Sequence, residues 1–260
     1  MKKYLLILVI AAVGCKKSNN TSPGVLITSW VFNSSPGVNT TSYFQYDSNN
    51  RLNNIVLGGR NIPISYNAQG LITSSGATGA NQNYLQLTYD GNGNLTGGTD
   101  KVYDPSGQLQ TSYNLTFMLT NGQVSQMNVY NLLSSTPTTV SFSYNNTYDS
   151  NGNLTKRIEL NGSGAVEETD TYTYGTNHSP QINNHRRYNV SPLLNLFLND
   201  DDDFYNTNER LSMARVITFG TPPAIQTTNF VFGYTSYNQQ YPIMLYVGPG
   251  GNFTYSYSGL

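Results

Sequence analysis

Charge is scarce in this chain: 10% of its 260 residues are charged, and 13 basic residues nearly cancel 14 acidic ones. A net charge of −1 supplies no basic field for a phosphate backbone, which excludes nucleic acid as a partner. Cysteine occurs once and histidine twice, so no disulfide framework and no Cys–His zinc set is available. Long apolar runs are missing as well. The longest stretch, Tyr4–Val13, spans ten residues, too few to cross a bilayer as a helix. The low charge does not mark disorder, because 21 Tyr and 10 Phe supply large apolar surfaces.

What is present at the N-terminus is specific. Lys2 and Lys3 precede the apolar run, which ends at Ala12-Val13-Gly14-Cys15. That pattern predicts a signal peptide over 1–14 with a lipobox-like end, and Cys15 as the acylated first residue of the mature chain. The bland alternative is a buried structural cysteine. Two or more acyl chains give durable attachment where one is marginal. Residues 15–24 are the lipidated cysteine and a polar tether, and 25–260 form a single β domain.

One phrase recurs through that domain: tyrosine, an acid or amide, then glycine at the fifth position and an apolar residue at the seventh. Clear copies are Tyr46-Asp47…Leu52, Tyr66-Asn67…Ile72, Tyr89-Asp90…Leu95, Tyr103-Asp104…Leu109 and Tyr148-Asp149…Leu154. Tyr205-Asn206…Leu211 and Tyr237-Asn238…Ile243 keep the spacing without the glycine, and Leu119–Val124 is one residue shorter. Asp or Asn suits the first corner of a type I turn, and Gly93 or Gly152 the left-handed position that closes a three-residue loop. In that geometry the tyrosine faces the apolar residue across the ladder. The flanks alternate as half-buried strands do, for example Leu85, Leu87 and Tyr89, or Tyr113, Leu115 and Phe117. With one apolar face per strand the sheet is antiparallel, and it must curl or be covered. Ser191-Pro192 before LLNLFL predicts a short helix over Pro192–Asn199 on the concave face, with an apolar strand as the alternative.

The phrase resembles the YD repeats of Rhs-type toxin shells and teneurins. The order of elements is similar to a family of Bacteroidota lipoproteins of unknown function. Tyr172-Thr173-Tyr174, Ser179-Pro180, Leu193–Leu198, Tyr241-Pro242 and the Phe253–Tyr257 ending carry the likeness, with Ser179 in place of the usual Asn. The resemblance implies an all-β fold with minor α content, a single large curved antiparallel meander like lipoprotein-carrier folds. It assigns no activity. In that group an acidic patch after the lipidated cysteine accompanies surface export; Lys16 and Lys17 here point to an outer-membrane protein facing the periplasm.

Candidate sites are few. Asp200–Asp203 with Asn199 and Asn206 supplies carboxylates for Ca²⁺, against a plain solvated loop. Asp90-x-Asn92-x-Asn94 and Asp149-x-Asn151-x-Asn153 imitate half a calcium loop, but Lys101 and Leu160 stand where the bidentate acid belongs, and turn chemistry is the better reading. His178 and His185 make a poor zinc site. Glu159, Glu167, Glu168 and Asp170 offer paired carboxylates for sugar hydrolysis, but on a strand pair they read as ordinary exposed charges. Tyr43, Tyr84 and Tyr130 lie off the repeat register and are the ligand-stacking candidates. No catalytic residue, cofactor or metal site is assigned; Cys15 is the one assigned site. The expected function is a non-enzymatic, lipid-anchored binding or scaffolding domain for an unidentified protein, glycan or lipid ligand. A carrier of an apolar ligand is the runner-up, and a glycan-active enzyme comes third.

Overall fold

The computed structural model describes residues 26–35, 38–57, 59–179, 208–219, 223–238, 240–247 and 252–258. The first strands are β1 (Leu26–Ser35), β2 (Val38–Tyr46), β3 (Leu52–Leu57), β4 (Arg60–Tyr66), β5 (Ile72–Gly76) and β6 (Asn83–Tyr89). Next come β7 (Leu95–Tyr103), β8 (Leu109–Thr120), β9 (Gln123–Asn131), β10 (Phe142–Tyr148) and β11 (Leu154–Asn161). The last five are β12 (Val166–His178), β13 (Asn208–Phe219), β14 (Ala224–Asn238), β15 (Tyr241–Val247) and β16 (Asn252–Ser258). Each pairs antiparallel with its neighbours in chain order, and β1 pairs with β16 from Leu26↔Ser258 to Asn33↔Asn252. The result is a closed up-and-down barrel of sixteen strands.

This corrects the open meander covered by a helix. Joining the last strand to the first shuts the inner face without a lid and removes both sheet edges. The described residues contain no helix. Pro192–Asn199, Asp200–Asp203, His185 and Cys15 lie outside them.

The repeated phrase builds the hairpins as its spacing predicts. Tyr46↔Leu52, Tyr66↔Ile72, Tyr89↔Leu95, Tyr103↔Leu109 and Tyr148↔Leu154 are all cross-strand partners. Asp90 Oδ1 accepts the backbone N–H groups of Asn92 and Asn94 at 2.9 and 2.8 Å, while Gly93 N donates to Asp90 O. Gly93 and Gly152 take φ of +80° and +88°, and Asn50 (φ 57°) substitutes for glycine in the first copy. The calcium-like spacing is therefore turn chemistry. Two copies differ. Tyr237 pairs with Pro242 rather than Ile243. Asn161 caps a turn of the same form, Asn161–Ala165, that the tyrosine-based register missed because Leu160 stands in the tyrosine place.

The tyrosine does more than face a leucine. Tyr46, Tyr66, Tyr89, Tyr148, Tyr174 and Tyr257 each donate their hydroxyl to a backbone carbonyl of the preceding strand, at Ile27, Leu52, Ile72, Val124, Leu154 and Pro242 respectively. The distances are 2.6–3.0 Å. All six lie on even-numbered strands at one rim, where the strand before is not joined to them by a hairpin turn. Each bond thus fastens one hairpin to the next. Leu119 leaves a gap in this belt because it has no hydroxyl. The rim also holds the start of β1 at Leu26 and the end of β16 at Ser258.

The copy at Tyr103 sits at the opposite rim and is turned over. Leu109 is 44% exposed on the outside, and Tyr103 makes no hydroxyl bond to a neighbouring strand. A hairpin of this kind has a fixed hand, and the chain circles the barrel in one sense. Seen from the two rims that sense is opposite, so the phrase points inward at one and outward at the other.

Candidate functional site

Register divides the wall into inward and outward rows. One outward row runs Thr88, Gly97, Thr116, Asn128. Another runs Thr147, Lys156, Thr171, Ala214, Asn229. These outward rows are polar, the reverse of the apolar lipid-facing band of a membrane-spanning barrel. A shallow outer groove of about 250 Å³ lies over Gly97 between Gln86, Thr88, Asn114 and Thr116. The inward rows carry the core, with Ile27, Ile55, Leu85, Leu95, Leu115, Val124, Met127 and Leu154 all under 3% exposed.

Two inward rows break that apolar lining. In the first, Asn146, Arg157, Asp170 and Arg215 are consecutive cross-strand partners on β10 to β13. Asp170 is fully buried. Its Oδ2 accepts from Arg157 Nη2 at 2.7 Å, Arg215 Nη2 at 3.1 Å and Tyr172 Oη at 3.1 Å, and its Oδ1 accepts from Arg215 Nε at 2.9 Å. Three donors converge on Oδ2 and one on Oδ1, so both oxygens of the carboxylate are paired. Burial works against charge on Asp170, but the hydrogen bonds and fields of Arg215 and Arg157 outweigh it and hold the carboxyl below its usual range. Beside it, Glu168 lies 3.6 Å from Arg157 and 3.3 Å from Arg215; burial and the Asp170 charge push it upward. Glu159, across the ladder from Glu168 and Tyr144, is raised chiefly by burial. Arg157 also rests over the Tyr144 ring at 5.7 Å.

The second row runs Ser75, Leu85, Asp100, Tyr113 across β5 to β8. Here two oxygens are unserved, as Asn146 Oδ1 is in the first row. Ser75 and Asp100 are each 2% exposed, and Ser75 Oγ and Asp100 Oδ1 have no hydrogen-bond partner. Burial pushes Asp100 up to about 7, offset in part by the backbone N–H of Lys101. Beyond Tyr113 the inner wall carries an aromatic strip: Tyr113 to Phe142 at 6.0 Å and Phe142 to Tyr144 at 5.7 Å, both edge-to-face.

The structure thus redistributes the sequence candidates. Glu159, Glu168 and Asp170 are inward-facing and partnered, not ordinary exposed charges, whereas Glu167 is exposed on the outside. Asp170 is held as a carboxylate between two guanidinium groups, which opposes its taking up a proton. Tyr43 (52% exposed), Tyr84 and Tyr130 all belong to outward rows and share no site with the lumen groups. His178 Nδ1 is buried without a partner, and its ring lies 5.1 Å from Tyr241. Among the described residues no group of three His, Cys, Asp or Glu side chains is placed to hold a metal.

Arg157, Arg215, Ser75 and Asp100 escaped the sequence reading, and the cause is local. The residue after each apolar position of the phrase is bulged out of register, so Thr96 and Thr155 have no ladder partner. The inward face resumes three residues after the leucine, not two: Leu52 to Ile55, Leu95 to Gly98 and Asp100, Leu154 to Arg157 and Glu159. Counting three from each apolar position of the phrase, and then by twos, places Ser75, Asp100 and Arg157 but not Arg215.

No family model and no curated protein matches the chain, so the likeness to the lipoprotein family rests on the residues quoted for it. Solved structures do match. A porin-like protein from Bacteroides vulgatus aligns over 91% of this chain and 100% of its own, with a TM-score of 0.54 and 12% identity. A second porin-like protein, from Bacteroides uniformis, aligns over 89% of this chain and 95% of its own at TM-score 0.52 and 12% identity. The toxin complex TcdB2–TccC3 without its hypervariable C-terminal region aligns over 84% of this chain and 10% of its own at TM-score 0.30. The two porin-like structures share this chain's barrel fold.

Proposed function

We propose that this is a lipid-anchored envelope protein whose barrel binds a small polar ligand in its lumen without transforming it. The observation that carries the reading is the pair of nearly fully buried, unpartnered polar atoms, Ser75 Oγ and Asp100 Oδ1, on a stretch of inner wall whose other residues are mostly apolar. Buried polar groups are ordinarily paired, and an unpaired one in a native fold asks for a water, ion or ligand. The same row argues against the apolar-carrier alternative, because hydrocarbon cargo would leave both atoms unpaired. The ion pairing of Asp170 with both Arg157 and Arg215, which opposes its protonation, argues against the glycan-active enzyme.

The location rests on the lipobox-like end at Cys15, and the envelope setting is in keeping with the porin-like description of the two Bacteroides structures. The outward polar rows fit a barrel standing off the bilayer, tethered from the tyrosine rim where Leu26 enters β1. Two measurements test the reading. Cys15→Ser is expected to release the protein from membranes or leave it unprocessed; normal N-terminal cleavage with unchanged fractionation overturns the anchor. A thermal-shift survey of charged and neutral polar compounds is expected to find stabilisers of the mature chain that Asp100→Asn loses. If none of them raises Tm, the binding reading fails.

A further inference from the structure

The tip of the β8–β9 hairpin carries a covalent modification site that lies apart from the lumen and does not depend on the binding reading. We propose that Asn121–Gly122 is where this protein modifies itself: the Gly122 backbone nitrogen attacks the Asn121 side-chain carbonyl, and the asparagine is converted to aspartate and isoaspartate. The Gly122 nitrogen gives up its proton and bonds to Asn121 Cγ, the Cγ–Nδ2 bond breaks, and ammonia leaves as a succinimide ring closes. Water then opens the ring at either carbonyl. Opening at Cγ restores the peptide with an aspartate. Opening at the backbone carbonyl leaves an isoaspartate, in which the chain runs through the side chain.

The Asn–Gly dipeptide occurs four times, at Asn92, Asn121, Asn151 and Asn161, so the pair of residues alone does not single one out. Three copies are restrained by turn chemistry. Gly93 N donates to Asp90 O at 3.0 Å and Gly152 N to Asp149 O at 3.1 Å, which engages the nitrogen that would attack. In the third, Asn161 Oδ1 accepts from the backbone N–H groups of Ser163 and Ala165, each at 3.0 Å, and from the Ser163 hydroxyl at 2.7 Å. Those bonds fix the carbonyl that would be attacked.

Asn121–Gly122 lacks both restraints. Thr120 pairs with Gln123 around a two-residue loop in which Asn121 and Gly122 have φ of +53° and +77°, positive at both positions as in a type I′ turn. Both residues are exposed, and among the described residues none bonds the Gly122 nitrogen or the Asn121 side chain. Nothing lies within 4 Å of the point a Gly122 Cβ would occupy, which leaves room for the ring. Bringing the nitrogen onto Cγ takes a rotation out of the turn, and the belt at this rim does not oppose it here. Tyr89 and Tyr148 tie the ends of β6 and β10 to the strand before, whereas Leu119 holds the corresponding place on β8 and has no hydroxyl. The β9 side stays fastened, because Tyr148 Oη and Asn146 Nδ2 both donate to Val124 O at 3.0 Å. Opening is thus confined to the hairpin tip and costs far less than unfolding the barrel.

The test incubates the purified protein at pH 8 and 37 °C and samples it over weeks. Each sample is digested under acid conditions, and the four Asn–Gly peptides are followed by mass spectrometry for the amide-to-acid mass gain, with isoaspartate separated from aspartate by chromatography. Asn121 should convert at least tenfold faster than Asn92, Asn151 and Asn161, with isoaspartate in excess. A parallel incubation in concentrated urea, which removes the turns, should bring the four rates to within a few-fold of one another. Equal rates in the folded protein, or no conversion at Asn121, overturn the proposal. So does an equal lead for Asn121 in urea, because the neighbouring sequence and not the hairpin would then set the rate. Faster conversion at Asn92 or Asn151 also overturns it, since the bonds from Gly93 and Gly152 would then give no protection. The lumen ligand is tested separately, and none of these outcomes bears on it.

Discussion

Asp100 and Asp170 face the same lumen from strands of the same barrel, and their surroundings are opposite. Asp170 has four donors, two guanidinium groups and a tyrosine hydroxyl; Asp100 has an oxygen with no donor at all. Burial is nearly equal, so burial cannot account for the difference. What separates them is the next strand over. Asp170 has an arginine opposite it on both sides, whereas Asp100 has Leu85 and Tyr113. A closed wall built largely from one repeated hairpin therefore carries one carboxylate paired on both oxygens and one with an unpaired oxygen.

The largest effect that tests this contrast is removal of the Asp170 charge. Asp170→Asn leaves Arg157 and Arg215 buried beside each other with only Glu168 to share, and should cost about 3–5 kcal/mol in denaturant melts. Asp100→Asn at pH 8 should be neutral or stabilising, since it removes an uncompensated buried charge. Equal losses would erase the distinction.

The next effect is a dependence on pH, and its sign differs between the two. Asp100 is raised to about 7, so between pH 4 and 7 the folded state keeps a proton that the unfolded chain has released. Stability should fall as pH rises through that window, by roughly 4 kcal/mol at the limit, and then level off. Asp170 is lowered, so its contribution is present above the unfolded value and is lost as pH falls through the folded one. Melting curves from pH 4 to 8 should show a steeper decline in the parent than in Asp100→Asn, where only the raised Glu159 and Glu168 still contribute.

Smaller effects compare the two rims. Gly93→Ala places a Cβ at φ +80° and should cost about 1–2 kcal/mol. Tyr89→Phe removes the hydroxyl bond to Ile72 O and should cost about 1 kcal/mol. Tyr103→Phe at the opposite rim should cost less than about 0.5 kcal/mol, because that hydroxyl fastens no neighbouring strand. Urea midpoints of the three variants check the order, and an equal loss from Tyr103→Phe would deny the belt its special role.

Much of the fold could be read from the phrase itself. Tyr89, Asp90, Gly93 and Leu95 fix a turn type, a register and a cross-strand pair because each requirement is local. Closure was not legible, since nothing in a hairpin says whether the sixteenth strand meets the first. The belt bonds were hidden for a related reason: they join separate hairpins, such as Tyr66 to Leu52. The lumen charges were misassigned because a one-residue bulge after each leucine inverts a period-2 count. Asp100 was legible in principle, five residues beyond Leu95, but nothing in the sequence shows that its neighbours in space would be Leu85 and Tyr113.

The most direct measurement is a ¹³C carboxyl titration of the ligand-free protein, following Asp100 and Asp170 together. The account predicts that Asp100 titrates near 7 and Asp170 below the usual aspartate range of about 3.9. If Asp100 titrates near 4, it is solvated or paired in the lumen, and the open carboxylate on which the binding site is built does not exist.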